Sequence, residues 1–191
     1  MTTHTTDIHD LLRARRSGRA YDAAHEVTRE DILPLLEAAR WAPSGGNTQP
    51  WRYVVGIKGD ATYDKLLDLL APGNRIWAQY APVLLLTAYQ SSRKNQAGEW
   101  VDNRGGLHDL GMANLSIAVE AVNRGMMAHM VGGFNHDAAR TLIDAPTNHL
   151  DVGPMMALGY EGTPHHLPED IQKRETATRV RKPIEELLLD V

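Results

Sequence analysis

Two groups of basic residues stand near opposite ends of a 191-residue chain. Arg13, Arg15, Arg16 and Arg19 surround Ser17, and Lys173, Arg174, Arg179, Arg181 and Lys182 follow far downstream, together nine of the twenty lysines and arginines. A guanidinium offers a phosphate two parallel charged hydrogen bonds, so several of them beside a serine hydroxyl suit a phosphomonoester. A solvated basic helix end explains the same residues, and Arg179-x-Arg181 before Pro183 carries the same two readings.

Composition narrows the other chemistries. There is no cysteine, which removes disulfides, thiolate catalysis and cysteine-ligated metal centres. Redox chemistry would then have to come from a bound cofactor. The nine histidines form no HExxH pair, and His165-His166 lies in a Gly/Pro-rich stretch that reads as a solvated loop, so no metal site is expected. A formal net charge of -4 argues against general nucleic-acid binding, which needs a broad positive surface. With 42% apolar and 23% charged residues, one globular domain over residues 1–191 is expected. Apolar runs such as Val83-Leu84-Leu85-Leu86 fall far short of the roughly 20 residues that cross a bilayer. Met1 to Asp7 lacks the basic start and apolar run of a signal peptide, so a cytoplasmic location is expected.

The elements that would position the arginines follow from periodicity. Residues 7–17 predict a first helix, broken by Gly18. Ile32, Leu35, Leu36 and Ala39 predict a second, starting at Thr28 or Asp31 and ending at Trp41; Pro34 favours the later start, because proline suits the first turn. Ala42 to Pro50 is a loop of turn formers, and Trp51 to Ile57 a strand. Helices are predicted over 60–70 and 74–81, strands over 82–88, 126–131 and 152–160, and a short helix over 137–143. The polar stretch Gln90 to Arg104 is the candidate covering loop. Leu107 to Arg124 is the strongest helix, stopped by Gly125 as its C′ residue. It is apolar on more than one face and fits either a subunit boundary or an intrachain core. A last helix is predicted from Pro183 to Leu189. The fold class is therefore α+β, a mixed sheet flanked by helices. A dinucleotide fold is disfavoured, since no GxGxxG follows a first strand.

The run Arg15-Arg16-Ser17-x-Arg19-x-Tyr21, followed by Ala42-Pro43-Ser44-Gly45-Gly46-Asn47-Thr48-Gln49-Pro50-Trp51, resembles the two N-terminal signatures of the nitroreductase family of flavoproteins. The resemblance continues in order through Asn74-x-x-Trp77 before Ala81-Pro82, Asp109-x-Gly111-x-Ala113, Gly132-Gly133-Phe134, Gly159-Tyr160 and Arg179-Val180-Arg181-Lys182-Pro183.

It implies a nitroreductase-like fold with the long helix at the core of a homodimer, and FMN at the subunit interface. In that scheme Arg15, Ser17 and Arg181, with Arg179, hold the ribityl phosphate, and Arg16 neighbours the same site. Arg19 matches the basic position near the pyrimidine end of the ring, where positive charge favours the anionic reduced flavin. Pro43, Ser44 and Gly45 come from the partner and line the dimethylbenzene side. Asn47 orients that loop or binds the ribityl chain, and Asn74 bonds the ring edge. A backbone N–H of Gly132-Gly133 approaches N5, glycine permitting the close approach. Many relatives carry glutamate or another side chain at position 132, so Gly132 widens the pocket or alters nicotinamide access.

The implied activity is NAD(P)H oxidation with reduction of nitroaromatics, quinones or related small electron acceptors. It follows a ping-pong order and needs no side-chain acid or base, so no catalytic residue is assigned. Alternatives are a specialised flavin enzyme reducing one enone or small carbonyl metabolite, and a flavin-binding module without turnover. Trp51 and Trp77 are expected in the core, while Trp100 and Phe134 fit either a pocket wall or packing.

Overall fold

The computed structural model describes residues 7–189. The helices are α1 (Asp10–Ala14), α2 (Arg29–Arg40), α3 (Ala61–Leu69), α4 (Pro72–Ala78), α5 (Gly106–Asn123), α6 (His136–Leu142) and α7 (Glu169–Thr176); the strands are β1 (Trp51–Ile57), β2 (Val83–Gln90), β3 (Ser92–Lys94), β4 (Trp100–Asp102), β5 (Met126–Val131) and β6 (Leu150–Tyr160). Four strands form one sheet in the order β1-β2-β6-β5, and β3 and β4 form a separate hairpin. Among the described residues no helix is long and apolar enough to cross a membrane.

Strand alternation divides the core between the two faces of the sheet. Leu84, Leu86, Met155 and Ala157 point to one face and pack with Tyr63, Leu66 and Trp77 of α3 and α4. Val83, Leu85, Met156 and Leu158 point to the other and pack with Leu35 of α2 and Leu110, Ile117 and Ala121 of α5. The result is an α+β sandwich built around the long helix α5.

The sheet departs from the expected mixed character. Each of its pairings, β1 with β2, β2 with β6 and β5 with β6, is antiparallel. A parallel neighbour needs a crossover running the length of the strand. The α6 helix between β5 and β6, with 7 residues, covers only about 10 Å. The 11-residue β6 spans about 37 Å.

Other boundaries differ from expectation for identifiable reasons. The first helix is only 5 residues long. Beyond it the Arg19 N–H and the Arg15 carbonyl, which would pair in a continuing helix, bond instead to Glu175 and to Arg179. The second helix takes the earlier start and carries Pro34 in its interior. The Asp31 carboxylate accepts from both the N–H and the hydroxyl of Thr28 at 2.8 Å, and this N-terminal anchor outweighs the bond proline forgoes. The final helix is no more than a 3-10 turn over Ile184–Leu187. The stretch Gln90 to Arg104 folds mostly into the β3–β4 hairpin. Asn103 donates to the Gln90 carbonyl at 2.9 Å, and Trp100 stacks on His149 at 3.6 Å between centroids. Gly125 does stand in the left-handed region, at φ 69°, just past α5.

Candidate functional site

The two basic ends meet. Arg179 donates to the carbonyls of Arg15, at 2.7 Å, and of Arg13, across 164 and 166 residues of sequence. Arg181, two positions further along, is close enough that burial, followed by the charges of Arg179 and Arg181, depresses the Arg15 pKa. Arg15 lies 3.4 Å from the Ser17 hydroxyl. Among the described residues, none of Arg15, Arg179 and Arg181 forms an ion pair with a carboxylate. Mutual repulsion of this kind disfavours the assembly unless an anion joins it.

Arg16 and Arg19 behave differently. Arg16 is engaged by Glu161 at 3.1 Å and by Glu175 at 3.0 Å, and donates also to the Glu175 carbonyl at 3.0 Å. Glu175, with 5% of its side chain exposed, also accepts the Arg19 N–H at 2.8 Å and faces the Arg19 guanidinium at 3.4 Å. The Arg19 guanidinium sits 5.9 Å from the centroid of the Trp77 ring. Under the same turn, His129 donates from Nδ1 to the Gly18 carbonyl at 3.0 Å. Burial holds its pKa down at about 4, so it is neutral at pH 7. A cleft of about 350 Å³ is lined by Arg16, Ser17, Arg19, Arg174, Glu175 and Arg179, among others.

The Pro43 to Asn47 loop is positioned from α5. The Gly45 N–H donates to the Asp109 carboxylate at 3.0 Å, and the Ser44 hydroxyl accepts from the Gln49 N–H at 3.0 Å. Gly46, Asn47 and Gln49 all have positive φ, at 58°, 54° and 45°. This is a costly backbone for the latter two, so the loop needs its anchors. Pro43, Gly45 and Asn47 are exposed and Ser44 is half-buried. Within one chain this loop lies apart from the arginines, lining a second cleft of about 460 Å³ with Arg93, Asn103, Arg104 and Asp109.

Asn74 and Gly133 form a third cluster. Asn74 Nδ2 donates to the Gly133 carbonyl at 2.9 Å, and the Ala71 N–H reaches the same oxygen at 3.1 Å. A Cβ at Gly133 would sit 2.6 Å from Asn74 Nδ2, so glycine allows this contact, whereas a Cβ at Gly132 would meet nothing within 4 Å. The space beside Gly132 is therefore open. Phe134 is buried and belongs to the core, as are Trp51 and Trp77, while Trp100 is half exposed.

Sequence reasoning missed Glu175 and the helix that carries it. The signal lies in the Glu169–Lys173 and Asp170–Arg174 pairs at helical spacing, which the structure forms at 2.6 and 3.8 Å. Asp109 stands out in the sequence only as part of a motif, and its tie to Gly45 spans 64 residues, beyond any local pattern.

Comparison with known proteins gives a consistent picture. Residues 12–160 match the model of the Nitroreductase family. A solved structure described as an oxidoreductase containing FMN superimposes with a TM-score of 0.91, at 31% identity, over 98% of this chain and 93% of that one. The major NAD(P)H-flavin oxidoreductase of Aliivibrio fischeri is 41% identical over 64 residues, 34% of this chain and 28% of that protein. The nitrobenzene nitroreductase of Ectopseudomonas oleovorans is 46% identical over 54 residues, 28% of this chain and 23% of that protein. The aligned stretch thus spans about a quarter of each of these two curated relatives.

Proposed function

The chain belongs to the nitroreductase family, and on that premise we propose that it is an FMN-dependent oxidoreductase passing electrons from NAD(P)H to nitroaromatics, quinones or related small acceptors. The observation that carries this reading is the convergence of Arg15, Arg179 and Arg181 beside Ser17 with no carboxylate to balance them among the described residues. A phosphomonoester of charge about -1.5 to -2 fits such a cluster in sign and in donor geometry.

Bound FMN supplies the two-electron chemistry, and the residues of this chain hold, orient and screen. Arg15, Ser17, Arg179 and Arg181 grip the phosphate. Arg16, its side chain committed to Glu161 and Glu175, contributes as a scaffold for that turn. Arg19 places positive charge beside the ring. Asn74 and the N–H groups of Gly132 and Gly133 address the ring edge, and the open space at Gly132 leaves room for donor and acceptor to use one face in turn.

The remaining ring contacts come from Pro43, Ser44, Gly45 and Asn47 of a second copy, so the protein works as a homodimer with the whole chain as one FMN-binding domain. Support for the second copy comes from α5. Leu107 and Leu115 are 52% and 46% exposed, and Gly111 stands between them at helical spacing, an apolar edge along the longest helix.

The test is the absorbance spectrum of the purified protein, then anaerobic addition of NADH or NADPH and an acceptor panel. A flavin spectrum that bleaches with nicotinamide and returns with a nitroaromatic or quinone is expected. Protein that takes up no FMN would sink the proposal; flavin that nicotinamide never bleaches would leave a binding module, and turnover confined to one enone or carbonyl a specialised enzyme.

A further inference from the structure

Among the basic residues in and beside the cleft, the charges are sorted. Arg16 and Arg19 carry two positive charges and face two carboxylates, Glu161 and Glu175. Arg174 pairs with Asp170 at 3.8 Å. Arg15, Arg179 and Arg181 have no such partner among the described residues. The sorting depends on Glu175, which α7 delivers to the interior of the N-terminal turn. An ionised carboxylate this enclosed is tolerated only when paired and hydrogen-bonded. Glu175 meets that condition with one bond to the backbone of the turn and contacts to two guanidinium groups.

We propose that Glu175 is a positioning residue that acts through its charge. Together with Glu161 it balances the two charges of Arg16 and Arg19, leaving the net positive charge to the phosphate-facing arginines, and so holds down the midpoint potential of the bound flavin. This rests on the FMN reading, with Arg19 beside the ring. A cation there stabilises the negative charge that two-electron reduction adds to the cofactor. A carboxylate 3.4 Å from the same guanidinium offsets that stabilisation. Glu175 touches neither donor nor acceptor; its charge acts across space, adding to that of Arg19 with the opposite sign.

Glu175→Gln separates this role from simple scaffolding. The amide oxygen keeps the acceptor for the Arg19 N–H and for Arg16, while the charge disappears. Taking a separation on the order of 10 Å and an effective dielectric constant of about 20 to 40, the loss of one charge changes the relative affinity for reduced and oxidised flavin roughly four- to fifteenfold. The readout is the midpoint potential, by anaerobic dye equilibration of the FMN-loaded protein.

The expected result is a potential more positive in Glu175→Gln, more negative in Arg19→Gln, and back near the wild-type value in the double variant. Should Glu175→Gln fail to fold, comparing Arg19→Gln with the double variant reads the same charge step, since two amides can pair where the ions did. Potentials indifferent to residue 175 in proteins that retain FMN would overturn this inference alone. A wild-type protein that takes up no FMN would take the flavin reading down, and this one with it.

Discussion

Replacing Asp109 by alanine removes the anchor of the loop that carries Pro43, Ser44, Gly45 and Asn47. The carboxylate lies in the first turn of α5 with 5% of its side chain exposed, and accepts the Gly45 N–H at 3.0 Å. A hydrogen bond to a charged acceptor contributes about 1.5–3 kcal/mol. Part of the loss is recovered, because a freed loop relaxes the positive φ of Asn47 and Gln49, each worth roughly 1 kcal/mol. The net cost is about 1 kcal/mol or less, which in a chain of this size lowers the Tm by up to about 2–4 °C. Asp109→Asn keeps a neutral acceptor and loses about half as much. Thermal unfolding of the apoprotein by circular dichroism measures the difference, and limited proteolysis within residues 43–49 reports whether the loop has come loose. An Asp109→Ala protein melting within about 1 °C of wild type, with its loop still resistant, would refute the anchoring argument.

Arg15→Ala and Arg181→Ala should each weaken FMN retention by roughly ten- to a hundredfold, the worth of one charge-assisted bond, with the far-ultraviolet spectrum unchanged; equilibrium dialysis gives the number, and unaltered flavin content would displace the phosphate from this cluster. His129 should make stability acid-sensitive. Its folded pKa of about 4 lies below the ordinary value of 6.5, so the unfolded chain binds the proton more readily. The contribution is complete above pH 6.5 and is lost as pH falls toward 4, by roughly 3 kcal/mol. Urea titrations of wild type and His129→Gln at pH 7 and pH 4 should differ by that slope, and parallel curves would count against it. Gly56→Ala should destabilise by about 3 kcal/mol or more, because its Cβ would fall 2.6 Å from the Tyr63 Cα, a backbone atom of α3 that cannot step aside. At Gly132 the same change meets open space and should leave the Tm unaltered in a paired melting experiment.

What is legible in the sequence is whatever a short window encodes. Trp51 to Ile57 and Met126 to Val131 declare themselves as strands through β-branched and apolar runs, and Gly125 stops α5 where its freedom to take positive φ is needed. The arginine clusters are visible as residues, but the division of labour among them is not. It depends on Glu175, which is 159 residues from Arg16. The same limit hides the short first helix, whose end is dictated by bonds to the far terminus rather than by its own propensity. Pro34 misleads for a related reason. Proline costs a helix one bond and a local clash, but the Thr28–Asp31 anchor one turn earlier sets where the helix begins. The polar hairpin of β3 and β4 reads as a loop because three-residue strands lack room for a period.

The meeting of Arg15 with Arg179 has a consequence for the order in which the protein comes into being. Every strand of the sheet precedes the residues that close the basic anchor, although Leu167 and Ile171, which complete the core on one face, come only after Tyr160. The residues that close the anchor, Glu175, Arg179 and Arg181, all lie beyond β6. On the proposed reading, cofactor capture then waits on a segment that contributes no strand to the sheet: a chain ending at Tyr160 would carry Arg15 and Ser17 but lack the arginines that complete the phosphate grip.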